Sequence, residues 1–352
     1  MRRPAVGAAT LALLAWSLCA TAGADDIDDI VRAEMARQKL PGLAVAVVRD
    51  GAVVKVQGYG VADVQRRVPV TPDTVFKIGS VSKPLIATAV MVLVQDGRLS
   101  LDDPVSRYLE GTPETWKGIT LRHFLTHTSG VVREGPAFDP FKVQPVADVI
   151  RSAYPLPLRF SAGTKWEYCN VGYFSLAEII GRVSGGPWAD FMAARLFRPL
   201  GMHATSLTDV AHPLRAVGYG GKDNGNPAPD WPAVRPSGAF LSTVQDLLKW
   251  DAALTSGPLL TASSREAMWT PVRLADGTTH PYGFGWELGS RGGRRYVGHG
   301  GSLPGFRSAY ARFPDARLSI ILLVNADDVD RDAIVKAIAD VVTGAAVPAP
   351  SR

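Results

Sequence analysis

The stretch FKIGSVSKPLIATAVMVLV, residues 76–94, places two polar side chains at the start of an apolar helix. Residues 85–94 carry no charge, which is typical of a buried helix. Ser80 and Lys83 are three residues apart and therefore share one helix face. Because Pro84 is tolerated only in a first helical turn, Ser80 lies at or near the helix N-terminus. Free N–H groups and the helix dipole stabilise negative charge there.

The chemistry of this pair depends on the state of the Lys83 amine. Beside an apolar run the charged form of Lys83 is disfavoured, which lowers its pKa toward the range of a proton acceptor. The stretch therefore predicts a nucleophilic hydroxyl with a neighbouring base. The spacing by itself arises readily by chance, and the alternative interpretation makes Ser80 a simple N-cap and Lys83 a surface residue.

A second segment carries a phenol and a carboxamide. In GTKWEYCNVGYF, residues 163–174, Tyr168 and Asn170 are two residues apart. Alternate side chains of an extended chain point the same way, so both are predicted to face one cleft. Tyr-x-Asn is a trivial pattern when taken singly.

A third segment, YVGHGGSLPGF at residues 296–306, puts His299 before Gly300 and Gly301 at the predicted end of a strand. Glycines at such a position let a substrate backbone approach closely and pair with the strand edge. Taken singly, this segment also fits a turn that follows a core histidine.

Strand patterns at both ends of the chain set the expected architecture. Residues 26–38 predict a helix, and Asp50-Gly51 between two β-branched runs predicts a hairpin. The last third returns to strands (YGFGWELG, RRYVGHGG, FRSAYARF and LSIILLVN) and closes with a helix over residues 330–342. We therefore predict an α/β plus all-α protein, in which helices flank an antiparallel sheet built from both termini and a helical lobe is inserted.

The expected boundaries follow from this pattern. An α/β sheet domain covers residues 25–90 and 240–345, a mostly helical domain covers 91–239, and a disordered tail covers 346–352. Loops at residues 131–145 and 219–238 are long for a compact protein, so they are either functional or plain surface disorder.

Residues 1–24 have the pattern of a secretory signal. Arg2 and Arg3 precede an apolar run over residues 5–18, and small residues follow up to Ala24. We expect cleavage after Ala24, with Ala22 as the second choice, and a periplasmic or secreted protein. The run is shorter than the ~20 residues that span a bilayer, so no stable membrane anchor is expected after cleavage.

Charge and cysteine content narrow the function classes further. Removal of residues 1–24 takes away two cations, so 38 basic residues become 36 against 33 acidic ones, a net charge of +3. No Lys/Arg cluster stands out, which argues against a nucleic-acid partner. Cys169 is then the sole cysteine, and no intramolecular disulfide is possible.

The three motifs together resemble a known superfamily. Ser80-Val81-Ser82-Lys83, Tyr168-Cys169-Asn170 and His299-Gly300-Gly301, in that order, are similar to the motifs of serine β-lactamases and penicillin-binding proteins. The resemblance extends over nearly all of the mature chain through four further segments: TVFKIGSVSK, LRHFLTHTSG, GHGGSLPGF and RFPDARLSIILLVN. It is most similar to the class C β-lactamase-like branch, which includes esterases, D-aminopeptidases and DD-carboxypeptidases. The resemblance implies a β-lactamase/transpeptidase-like fold.

The resemblance also implies a role for each motif residue. Ser80 Oγ attacks a carbonyl to form an acyl-enzyme, and Lys83 and Tyr168 share the proton transfers. Which of those two is the main base stays open. Asn170 is implied to hold the Lys83 ammonium and a substrate carbonyl. The implied oxyanion hole is formed by the backbone N–H groups of Ser80 and Ser302.

One departure bears on the substrate. His299 stands where classical β-lactamases carry a lysine, and an unperturbed imidazole with a pKa of about 6.5 is mostly neutral at pH 7. We therefore expect weaker selection for a β-lactam carboxylate and favour a small-molecule or peptide substrate with an ester or amide carbonyl. The alternatives are a β-lactamase or DD-carboxypeptidase proper, and a non-catalytic binder of cell-wall peptide.

The sequence contains one possible metal-binding pattern and no nucleotide-binding pattern. His123 and His127 are four residues apart, a spacing that can bind one metal ion from a helix. No glutamate lies between them, and no metal is expected. No Walker-type or dinucleotide glycine pattern occurs at a strand-to-helix turn, so no nucleotide cofactor is expected either.

Overall fold

The computed structural model describes residues 19–257 and 259–344. The predicted tail at 346–352 and residues 1–18 of the predicted signal lie outside this part. The helices are α1 (Cys19–Gln38), α2 (Ser82–Gln95), α3 (Leu121–Leu125), α4 (Val146–Ser152), α5 (Asn170–Ser184), α6 (Trp188–Met192), α7 (Val244–Ser256), α8 (Ala262–Met268) and α9 (Arg331–Thr343).

The strands range in length from two to twelve residues. The strands are β1 (Gly42–Arg49), β2 (Ala52–Asp63), β3 (Val68–Pro69), β4 (Phe76–Lys77), β5 (Ser206–Leu207), β6 (Tyr219–Gly220), β7 (Asn226–Pro227), β8 (Phe240–Ser242), β9 (Val272–Arg273), β10 (Thr279–His280), β11 (Glu287–Arg291), β12 (Arg294–Leu303), β13 (Phe306–Phe313) and β14 (Leu318–Val324).

An antiparallel sheet of seven strands, in the order β11-β12-β13-β14-β1-β2-β3, forms the centre of the fold. The strand near the N-terminus pairs with the last strand, with Leu43 opposite Val324. Both ends of the chain therefore build one sheet, as the sequence predicts. The predicted hairpin is present: Asp50 and Gly51 have φ of 53° and 79°, the positive values that a two-residue type I′ turn requires.

The two faces of the sheet pack against different helices. Alternate side chains of a strand point to opposite faces, and in β1 Leu43, Val45 and Val47 join one apolar cluster with residues of α1 and α9. Ala44 and Ala46 face the other way, into a larger cluster with α2 and the helices of the inserted region. The sheet is therefore a layer between helices.

Several predicted boundaries differ in the structure. The first helix begins at Cys19 rather than residue 26, so the expected cleavage point lies within α1. In YGFGWELG the strand begins only at Glu287. The helix expected from Ser80 starts with a 3₁₀ turn, Gly79–Val81, before α2. Among the described residues no helix combines the length and apolar character needed to cross a membrane.

Candidate active site

The 3₁₀ turn that carries Ser80 packs directly against strand β12. Gly79 has a φ of +51°, and a Cβ atom on it would lie 2.9 Å from the Ser302 backbone nitrogen. Only a glycine combines that backbone conformation with so close an approach. The turn therefore holds Ser80 beside the backbone of residue 302.

Lys83 is fully buried one turn further along α2. Its Nζ donates hydrogen bonds to Asn170 Oδ1 at 2.8 Å and to the Ser237 carbonyl at 2.9 Å, and it lies 3.3 Å from Ser80 Oγ. Two oxygen atoms, from Asn170 and Ser237, thus fix the amine beside the serine hydroxyl.

The pKa of Lys83 lies well below the usual value for lysine. Burial away from water is the main cause, and the cations Arg235 and Arg133 lower it further, while Glu134 opposes them. Because its pKa is lowered, the amine is more readily neutral than an ordinary lysine. The neutral amine can accept a proton from the Ser80 hydroxyl, which lies 3.3 Å away.

Tyr168 approaches the same two groups. The Ser80 side chain is near enough to the Tyr168 phenol to lower its pKa in part, and the Tyr168 ring centroid lies 4.5 Å from Lys83 Nζ. Burial raises the pKa of the phenol above its ordinary value. Tyr168 therefore keeps its proton more strongly than a free tyrosine, whereas Lys83 loses its proton more readily than a free lysine.

Tyr168 and Asn170 face one cavity, but not because the chain is extended there. Cys169 is the N-cap of α5, and its Sγ accepts the Gly172 N–H at 3.3 Å. Asn170 is already the first residue of the helix. The prediction of an extended stretch is wrong, since the change from strand-like to helical backbone brings both side chains to the site.

His299 is the sixth residue of β12, not the end of that strand, so this prediction is also wrong. Its ring is buried, with Nε2 3.0 Å from the Tyr282 hydroxyl and Nδ1 2.7 Å from the Gly300 carbonyl. Burial, together with the Lys83 charge, lowers the pKa of His299 to about 3. The imidazole is therefore neutral at pH 7 and supplies no fixed cation.

The two glycines after His299 are required by the protein's own packing. A Cβ on Gly300 would lie 2.2 Å from the Arg331 guanidinium, and one on Gly301 would lie 2.1 Å from the Ile78 carbonyl. The sequence suggested instead that glycines make room for a substrate. Gly301 allows β12 to lie against the turn of Ser80, and Gly300 leaves room for Arg331 of α9.

A cavity of about 490 Å³ collects the predicted residues. Its lining includes Ser80, Tyr168, Asn170, His299, Gly300 and Ser302. The other two predicted residues lie behind this lining: the Lys83 amine contacts Ser80 and Asn170, and Gly301 packs against Ile78. Three segments far apart in the sequence therefore meet around one hydroxyl.

Sequence reasoning missed the charged residues of the same cavity, namely Arg133, Glu134, Arg235 and Glu287. Arg235 pairs with Glu134 at 2.6 Å. Burial raises the pKa of the Glu287 carboxyl. The long loops at residues 131–145 and 219–238 were the available signal for the first three, but no motif identified individual residues.

His123 and His127 serve separate purposes. Nδ1 of His123 accepts the Thr120 N–H at 3.1 Å and caps α3. Nδ1 of His127 accepts the Cys169 N–H at 3.1 Å, and its Nε2 is hydrogen-bonded with Tyr282. Within residues 19–257 and 259–344, no group of three His, Cys, Asp or Glu side chains is placed to hold a metal ion.

We expect acid to destabilise the protein through its buried histidines. The pKa values of His127 and His299 are lowered on folding, so only the unfolded chain takes up these protons as the pH falls below about 6.5. Stability is fully present above that pH and declines below it, by up to about 1.4 kcal/mol per pH unit for each histidine. Urea unfolding at pH 7 and pH 5 measures this loss, and it should be smaller in His299→Asn. An equal loss in the variant would contradict the assignment.

Comparison with known proteins shows the family of this chain. The sequence matches the Beta-lactamase family over residues 27–345. It is 30% identical over 335 residues to penicillin-binding protein 4* of Bacillus subtilis, covering 88% of this chain and 74% of that protein. It is 29% identical over 323 residues to the D-aminopeptidase of Brucella ovis, covering 88% of this chain and 61% of that protein.

A solved structure shares the fold. The D-amino acid amidase of Ochrobactrum anthropi SV3, complexed with L-phenylalanine amide, superposes with a TM-score of 0.79 at 25% identity. The similarity covers 91% of this chain and 98% of the amidase chain.

Proposed function

Since the chain belongs to the Beta-lactamase family, we propose that it is an exported serine hydrolase that forms an acyl-enzyme through Ser80 and hydrolyses an ester or amide carbonyl. The observation that carries this proposal is the buried Lys83 amine 3.3 Å from Ser80 Oγ. Burial lowers the pKa of this lysine, and such an amine activates a hydroxyl as a nucleophile.

In the acylation step Ser80 Oγ forms a bond to the substrate carbonyl carbon while its proton passes to Lys83. The tetrahedral intermediate then collapses: the bond between the carbonyl carbon and the leaving group breaks, and the leaving group takes the proton of the Tyr168 phenol. The raised pKa keeps this phenol protonated and available at neutral pH, and the phenol recovers a proton from the Lys83 ammonium. Water then attacks the acyl-enzyme with Tyr168 and Lys83 in the reverse roles. The product acid leaves, and Ser80 regains its proton.

The negative oxygen of the tetrahedral intermediate needs N–H donors. The Ser302 backbone nitrogen lies against the turn of Ser80, since a Cβ on Gly79 would be 2.9 Å from it. With the Ser80 N–H in the 3₁₀ turn before α2, the Ser302 N–H forms the proposed oxyanion hole.

Gly301→Ala tests this hole, because the new Cβ would collide with the Ile78 carbonyl and move β12 away from Ser80. We expect kcat/KM to fall by about a hundredfold, the effect of losing one oxyanion donor. Gly300→Ala is the matched control. The three atoms nearest to its Cβ belong to the Arg331 guanidinium rather than to the backbone. That side chain would have to shift from the Gly301 and Ser308 carbonyls, so we expect a loss smaller than the one caused by a collision with the Ile78 backbone. Equal losses would argue against the hole.

The neutral state of His299 favours esters and amides over β-lactams. His299 supplies no fixed cation for a substrate carboxylate, and the cavity's two arginines, Arg133 and Arg235, are matched by the carboxyl groups of Glu134 and Glu287. The D-aminopeptidase and D-amino acid amidase among the similar proteins support an amide of a small amino acid or peptide as the substrate class.

A substrate panel tests the proposed function. We expect turnover of p-nitrophenyl acetate or of D-alanine p-nitroanilide, slow turnover of nitrocefin, and a fluorophosphonate adduct on Ser80 by mass spectrometry. Efficient nitrocefin turnover without ester or amide turnover would make the protein a β-lactamase. Absence of both turnover and adduct would favour a binder without catalysis.

The pattern of residues 1–24 supports export. N-terminal sequencing of the protein from a periplasmic or culture fraction should begin at Asp25. A chain that stays in the cytoplasm with Met1 intact would overturn this part of the proposal.

A further inference from the structure

The two long loops meet at the carboxamide of Asn170. We propose that the Glu134–Arg235 ion pair is a positioning element that fixes the orientation of the Asn170 amide and thereby holds Lys83 beside Ser80. This inference rests on the proposed function, because it assigns these residues to the support of the same nucleophile.

An unbroken chain of hydrogen bonds carries the inference. Arg235 Nη2 donates to Glu134 Oε1 at 2.6 Å, and the same carboxylate accepts from Asn170 Nδ2. Asn170 Oδ1 then accepts from Lys83 Nζ at 2.8 Å. Residues 101 positions apart in sequence are thus joined to the amine through one amide.

A side-chain amide has one accepting end and one donating end. With Glu134 in place, the donating end of Asn170 faces a carboxylate and the accepting end faces Lys83. A turned amide would aim its NH₂ group at the lysine and its oxygen at the carboxylate, so both contacts would be lost. Glu134 therefore selects the orientation that holds the amine.

Arg235 in turn keeps the carboxylate in place. Its guanidinium lies 4.8 Å from the Phe138 ring centroid and 6.0 Å from that of Trp231. Contact with two aromatic rings restricts a side chain that otherwise has many rotamers. The cation is therefore a fixed partner rather than a mobile surface charge.

The loop that carries Arg235 is itself anchored to the core. The buried Lys77 amine donates to Asp230 at 2.5 Å and to the Trp231 carbonyl at 2.8 Å. Six residues after Trp231, the Ser237 carbonyl accepts from Lys83. Both loops consequently end on contacts to the same amine, one through Asn170 and one directly.

The test uses p-nitrophenyl acetate, which has neither an amine nor a carboxylate, so recognition of a charged substrate by Glu134 plays no part. We expect Glu134→Ala to lower kcat/KM by about tenfold or more, as misplacement of a catalytic group does. Glu134→Gln should recover most of the rate, because its amide oxygen can accept the same bond from Asn170. Glu167→Ala is the matched control. Glu167 directly precedes Tyr168 in the sequence and forms an ion pair with Arg159. Its side chain is 36% exposed, against 35% for that of Glu134.

A double-mutant cycle shows whether Glu134 acts through the amide. In an Asn170→Ala background, Glu134→Ala should add little further loss. Full additivity, a Gln variant as slow as the Ala variant, or a Glu134→Ala variant as fast as wild type would each overturn the proposal. Melting temperatures establish folding, with Glu134→Ser as the second truncation. Ser80→Ala separates the two hypotheses, since an unchanged rate in that variant would overturn the proposed function, whereas no result for the Glu134 variants would.

Discussion

Ser80→Ala is expected to lower kcat/KM by about four orders of magnitude or more on every substrate that the wild type hydrolyses. The variant lacks the atom that forms the bond to the carbonyl carbon, and loss of the nucleophile is among the most damaging changes in a serine hydrolase. Its other site residues keep their contacts, so thermal stability should remain close to that of the wild type. Steady-state assays over the substrate panel and thermal melts measure both quantities.

Ser161→Ala provides the matched control for that experiment. Ser161 is exposed and precedes Tyr168 by seven residues, outside the lining of the cavity. Its removal should change neither rate nor stability. If Ser80→Ala kept the wild-type rate, the Ser80 hydroxyl would not be the nucleophile, and the proposed acyl-enzyme mechanism would be wrong.

Lys83→Ala is expected to have the second largest effect, a loss of about a thousandfold in kcat/KM, within the range of a general base. The lowered pKa of Lys83 makes its neutral form available to the wild type below the pH at which a free amine deprotonates. The rise of wild-type kcat/KM with pH should therefore reach its plateau earlier than an ordinary lysine would allow. The variant should lack this rise, and small alkylamines added to it should restore part of the rate.

Lys77→Met separates loss of the base from loss of a buried lysine. Lys77 is also buried, but its amine contacts Asp230 and Trp231 rather than Ser80. We expect a lower melting temperature and a rate far above that of Lys83→Ala. Equal rates in the two variants, or an unchanged pH profile in Lys83→Ala, would speak against Lys83 as the base.

Local patterns in the sequence were sufficient for the parts of the fold and site that depend on neighbours along the chain. Ser80 and Lys83 lie three residues apart in one segment, and the Asp50-Gly51 turn has its own conformational preference. Each of these features is determined by residues that are close together in the sequence. Rules for helix periodicity and turn formation are therefore sufficient to predict them.

Contacts between distant loops were beyond such rules. Glu134 and Arg235 meet because two segments without helical or strand periodicity converge, and no spacing in the sequence marks that meeting. Glu287 was missed for a related reason: its environment depends on how far β11 extends beside β12, not on its immediate neighbours. A tertiary structure was needed to show that the cavity is charged.

The pairing of β1 with β14 has a consequence for how the chain comes to be folded. Leu43 and Val324 are 281 positions apart in the sequence. One edge of the hairpin formed by β1 and β2 therefore stays unpaired until almost the whole polypeptide has been synthesised. Such high contact order slows folding and leaves an open strand edge that favours aggregation. A nascent chain of this protein should need a chaperone to shield that hairpin, and a nonsense mutation before residue 318 should yield insoluble material rather than a smaller folded unit.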